Sequence, residues 1–108
     1  MIFDVQVLER GGWQVAAVVG DVDLATLPRL WPRVELLDGD RVAVDLMSVD
    51  WFDPVCLGVL LAAGVRARRR RARLVVVAVG AVGALLAEAG VDQVLEVVES
   101  LPDDAGPA

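Results

Sequence analysis

The chain opens on an alternation: between Ile2 and Glu9, Phe3, Val5 and Val7 are apolar while Asp4 and Gln6 are polar. A period of two predicts a half-buried β-strand. A second β-favouring run, Trp13 to Val19, follows Gly11 and Gly12. The turn Arg10 to Gly12 supplies glycines that accept positive φ, so the two runs read as an antiparallel hairpin. The period then changes. From Asp21 to Leu37, the residues Leu24, Leu27, Leu30, Trp31, Val34 and Leu37 recur at spacings of three and four. They predict an amphipathic helix with Asp23 as its N-cap. Pro28 suits the first turn, whereas Pro32 lies deeper and is expected to kink the helix or split it.

Arg41 to Leu46 (RVAVDL) reads as a buried strand, introduced by the turn Asp38 to Asp40 and followed by an irregular linker, Met47 to Phe52. The pair Asp53-Pro54 starts a second helix, because Asp is a favoured N-cap and Pro is favoured at the first helical position. Val55, Leu57, Val59, Leu60, Leu61 and Val65 give that helix a broad apolar surface, and arginines fill its last turn, where cations suit the dipole. Leu74 to Val79 is an apolar strand, Ala81 to Ala89 a short helix stopped by Gly90, and Val94 to Val98 an edge-like strand. Strands alternating with helices predict an α/β domain. Its mixed β-sheet has an N-terminal antiparallel hairpin, parallel crossovers after it, and helices packed on it.

At 108 residues, 56% hydrophobic, with a mean hydropathy of +0.60, the chain suits one domain with one core. We place that domain at 1–100 and expect a frayed or disordered tail, with almost nothing to bury, at 101–108. The lone Cys56 cannot form an internal disulfide, and Asp4 and Glu9 stand where a signal peptide would be basic and then apolar, so a cytoplasmic location is expected. The longest uncharged apolar run, Leu74 to Ala87, is about fourteen residues and holds Gly80 and Gly83, too short to span a membrane. Ten arginines and no lysine, with abundant Ala, Val, Gly and Leu, point to a high-GC bacterium. Histidine, lysine and tyrosine are absent, and the hydroxyl side chains are Thr26, Ser48 and Ser100. A nucleophile and base pair has no material here, so neither catalysis nor a cofactor is expected.

Four stretches carry a resemblance: Val18 to Pro28 (VVGDVDLATLP), Val44 to Leu46, Val49 to Asp53, and Leu57 to Leu60. Their order and spacing, with the Arg-rich helix end and the segment Ala89 to Asp92, resemble STAS domains, in particular bacterial anti-sigma factor antagonists. The resemblance covers nearly the whole chain. It implies a non-catalytic domain that binds a kinase-type anti-sigma factor. The partner face it implies comprises Asp21, Asp23, Thr26, Trp51, Asp53, Pro54, Val55, Cys56 and Gly58. In that family the aspartate matching Asp53 precedes a serine or threonine that the partner kinase phosphorylates. Here that position is Pro54, followed by Val55 and Cys56, so the phosphoacceptor position has no hydroxyl. In the family the added phosphate places about −1.5 to −2 charge in the partner surface and repels it.

Other readings compete. A STAS subunit supporting a membrane transporter or lipid-transport ATPase needs no phosphoacceptor. A module holding a small anion or nucleotide at a helix N-terminus would use Gly80-Ala81-Val82-Gly83, which lacks the lysine and the longer glycine pattern of nucleotide sites. Cys56 in a first helical turn is a candidate reactive thiol, with small-residue packing the plainer explanation. Asp21, Asp23, Asp45, Asp50 and Asp53 are candidate hard-metal ligands, although each stands where a cap or turn residue is wanted, so no metal is expected. Trp31 belongs to the core stripe, and Trp51, in the loop before Asp53, is the better anchor for a partner. Arg66 to Arg73 holds six arginines in eight residues, leaving four against sixteen acids. Anionic membrane or nucleic acid would suit them. A solvated helix end is the plainer reading, because the overall balance is acidic and no aromatics interleave. No nucleic-acid partner and no membrane insertion are therefore expected, and self-association into a homodimer through an apolar patch stays open.

Overall fold

The computed structural model describes residues 2–103. β1 (Asp4–Arg10) and β2 (Trp13–Val22) form the hairpin, in register from Asp4 opposite Val19 to Arg10 opposite Trp13. Gly11 and Gly12 make the two-residue connection at φ 57° and 83°, the left-handed geometry that matches strand twist. There follow α1 (Leu27–Glu35), β3 (Arg41–Phe52), α2 (Gly58–Arg69), β4 (Arg73–Val77), α3 (Gly80–Glu88) and β5 (Glu96–Val98). The sheet order is β1-β2-β3-β4-β5, with β1 antiparallel and every later pairing parallel. This is the mixed α/β architecture the periodicities predict.

Right-handed crossovers taken in sequence order place all three helices on one face of the sheet. One apolar cluster accordingly joins Leu30 of α1, Leu60 of α2 and Leu86 of α3 to Val18, Val44 and Val76 of the sheet. Alternation along the strands sends Trp13, Val15, Ala43, Val75 and Val77 to the helix-free face, where they form a second cluster. Trp13 is fully buried there. The Arg73 guanidinium lies 5.4 Å from its ring centre, and its indole Nε1 donates to the Pro102 carbonyl at 3.2 Å. Leu101 packs on the same cluster, so the chain leaving β5 crosses this face and the expected loose tail does not begin at Leu101, because Trp13 offers it an apolar surface and a donor. Positions 104–108 of the tail lie outside the described residues.

Local departures from the sequence reading have physical causes. α1 begins at Leu27, not near Asp23, because Asp23 caps a separate turn: its Oδ1 accepts from the N–H groups of Ala25 (2.9 Å) and Thr26 (3.0 Å). Leu24 falls in that turn and is 64% exposed instead of lying on the core stripe. With this later start Pro32 is only the sixth residue of α1, and the helix runs through it unbroken. The proline forgoes a single intrahelical bond, the one to the Pro28 carbonyl. The stretch read as an irregular linker, 47–52, is the second half of β3. It pairs with the end of β2 across two register shifts, between Ala17 and Val19 and between Gly20 and Asp21. Those bulges replace alternation by burial at Val49 and Phe52, three apart, which hides the strand from a period-two reading.

The second helix opens with a 3₁₀ turn, Pro54–Cys56, before α2 proper at Gly58. Likewise a 3₁₀ turn at Val91–Gln93 follows Gly90, whose φ is 76°, and leaves only three residues for β5. Among the described residues no helix is long and apolar enough to cross a membrane.

Candidate functional site

The ends of β2 and β3 bring the two acidic loops together. Asp21 pairs with Trp51 and Val22 with Phe52 in the parallel register, and the Asp53 N–H donates to the Val22 carbonyl at 2.8 Å. Each loop then leads into a helix, so the N-terminal ends of α1 and α2 open beside one another. The first loop is closed by Thr26. Its hydroxyl donates to the Asp21 carbonyl at 2.8 Å and accepts from the Asp23 N–H at 3.0 Å. Thr26 thereby fixes the position of Asp21 and Asp23. In the second loop Asp53 Oδ1 accepts from the Val55 N–H at 3.0 Å, the capping expected of Asp-Pro.

Around these turns the apolar side chains face outward. Trp51 is 54% exposed, Val55 60% and Leu24 64%. Pro54 and Gly58 are exposed, Asp21, Asp23, Thr26 and Asp53 are half-buried, and Cys56 is buried in the main core. Large apolar side chains left in water beside ordered acidic loops are what a protein-binding patch requires. Leu24 went unrecognised in the sequence because its spacing fits the helical stripe. The signal that would have found it is the Asp23-x-x-Thr26 pattern of a self-closing turn.

Burial raises the Cys56 thiol above its ordinary pKa, and the nearby Asp53 and Asp23 carboxylates raise it further. A reactive thiolate needs the opposite environment, a cationic one. Asp45 does not join the acidic loops. It lies on the helix-free face, accepting from Arg10 at 3.2 Å and from the Met47 N–H at 2.9 Å.

A family model described as "Mlab, STAS domain" matches residues 6–99. Among solved structures the chain is similar to an anti-sigma factor antagonist from Mycobacterium paratuberculosis, at 25% identity and a TM-score of 0.85, over 96% of this chain and 91% of that one. It shares its fold with the anti-sigma factor antagonist SpoIIAA in its unphosphorylated form, at 10% identity and a TM-score of 0.67, over 96% and 94% of the two chains. A Thermotoga maritima protein provisionally described as an anti-sigma factor antagonist also has this fold, at 11% identity and a TM-score of 0.73, over 92% and 87%. No curated protein matches.

Proposed function

The chain belongs to the STAS domain family, and from that premise we propose that it is a non-catalytic regulatory domain, an anti-sigma factor antagonist that docks on a kinase-type anti-sigma factor. The observation that carries the reading is the near full-length likeness to the mycobacterial antagonist, joined to an exposed patch at the expected end of the sheet. Trp51 and Val55 supply apolar anchors, and Asp21, Asp23 and Asp53 supply the charge that selects a basic partner face. Pro54 occupies the phosphoacceptor position, and Thr26, the hydroxyl of this face, is occupied in its turn. The antagonist is therefore not switched off by its partner's kinase activity. Control falls to protein abundance, or to a partner that does not read phosphorylation.

Calorimetry of the domain against kinase-type anti-sigma factors of the source organism, with ADP or ATP, tests this. Micromolar or tighter binding that persists during incubation with ATP is expected. Asp53→Arg should weaken it at least tenfold while the fold survives, and Trp51→Ala should do the same with little change in Tm. Absence of binding to every such partner would move the assignment to a STAS subunit of a membrane transporter or lipid-transport ATPase.

A further inference from the structure

The arginines between Arg66 and Arg73 divide into two sets. Arg70 is structural: its Nη1 donates to the carbonyls of Asp38 (2.8 Å) and Gly39 (3.1 Å) and its Nη2 to that of Leu37 (3.3 Å), fastening the loop before β3. Arg73 chelates Glu96 through Nε at 3.0 Å and Nη2 at 2.6 Å while lying against Trp13. Arg66, Arg68, Arg69 and Arg71 have no ion pair and no side-chain hydrogen bond among the described residues, in a chain with sixteen acids.

Like charges crowded into one helical turn repel one another. Arg71 adds backbone strain, because it is the described non-glycine residue with positive φ, 60°, at the position just past the helix where glycine sits without penalty. Helix-closing bonds from the Arg71 N–H to the Arg68 carbonyl (3.1 Å) and from the Ala72 N–H to the Ala67 carbonyl (2.8 Å) offset that strain, and the helix dipole eases the repulsion, but no side-chain contact among the described residues neutralises the four guanidinium groups.

Exposed aliphatic side chains stand with them. Val65 is 45% exposed and Val94 56%. Val94 and Arg68 border the same shallow groove of about 180 Å³, floored by Ala67, Leu74 and Leu95. Unpaired cations beside exposed valines suit a bilayer surface, where headgroups meet the charge and the acyl boundary meets the valines. A single-strand site would interleave aromatic side chains for stacking, and none stands between Val65 and Arg73, while a duplex would meet the arginines but leave the valines in water. The acidic loops lie at the opposite end of α2, whose 12 residues span about 18 Å, roughly two Debye lengths at physiological ionic strength. At the basic end itself, Glu96 lines the groove but is held by Arg73, and Asp38 and Asp40 lie in the loop that Arg70 and Arg73 touch, with no ion pair to Arg66, Arg68, Arg69 or Arg71.

We propose that this basic end of α2 is a peripheral docking site for an anionic membrane surface, separate from the protein-binding face at the helix start. Co-sedimentation of the full chain with phosphatidylcholine vesicles, with and without one-third phosphatidylglycerol, tests it. The domain should sediment with the anionic vesicles alone and be released by about 0.5 M salt. Arg68→Ala and Arg69→Ala should each lower partitioning about fivefold. Arg71→Gly separates charge from fold: Tm should rise as strain is relieved while partitioning falls by a similar factor. Equal sedimentation with neutral vesicles, or variants that leave partitioning unchanged, would overturn the proposal. So would a short DNA duplex that displaces the vesicles at the same salt. Calorimetric binding to the protein partner should be untouched by these variants, so the two readings fail separately.

Discussion

Cys56 is where the chemistry of a single residue departs furthest from its helical position. A helix start favours a thiolate, yet burial and the carboxylates of Asp53 and Asp23 push the thiol above its ordinary 9.0. Above about pH 9 the unfolded chain loses that proton while the folded one keeps it. The folded state then binds more protons, so the thiol's contribution to stability is complete below that pH and is lost as pH rises through the folded value. Cys56→Ala should flatten this alkaline loss in thermal melts, and iodoacetamide should label the native thiol far more slowly than the denatured one. At the nearby Pro54, a serine places a hydroxyl beside the N-cap Asp53. Pro54→Ser should become a substrate of the partner kinase and lose affinity once phosphorylated, as mass spectrometry and calorimetry would show. Complete resistance would mean that kinase recognition has drifted along with the acceptor.

Among the elements, β1 is the longer exposed edge of the sheet, and edges recruit other strands. Three side-chain contacts blunt it. The Val5 N–H donates to Asp4 Oδ1 at 2.9 Å, Arg29 of α1 donates to the Phe3 carbonyl at 3.1 Å while lying over the Phe3 ring, and Arg33 reaches the Val5 carbonyl at 3.4 Å. Removing both guanidinium groups by Arg29→Ala with Arg33→Ala frees two outward carbonyls. Analytical ultracentrifugation should then detect concentration-dependent association stronger than that of the parent chain, with a modest fall in Tm. A double variant that associates no more than the parent would show that Asp4 and strand twist protect the edge unaided.

For the molecule as a whole, the helices close one face of the sheet, and Leu101 and Pro102, after β5, cover Trp13 and its neighbours on the other. Ending the chain at Val98 removes the Leu101 packing and the acceptor of the Trp13 indole. A loss of about 2 kcal/mol follows from the apolar area and the hydrogen bond together. The emission of the buried tryptophan should shift to the red. An unshifted spectrum at unchanged Tm would make the segment dispensable.

What the sequence determined by itself is local in origin. The hairpin follows from alternation plus two glycines at positive φ, the helix start at Asp53-Pro54 from capping, and the end of α3 from Gly90; each depends on residues a few positions apart. The order of such elements suffices for an α/β sheet with parallel crossovers, and the acidic loops carry the family resemblance. The tertiary structure decided what depends on distant partners. β3 continues to Phe52 because the end of β2 pairs with it across two bulges. Leu24 and Trp51 stand in water because the Asp23–Thr26 turn and the strand ends turn them outward. Arg70 and Arg73 are spoken for by a loop and a strand some twenty to thirty residues away, while their neighbours are left free. Burial and pairing arise from contacts across the fold, and no period along the chain encodes which side chains those contacts will reach.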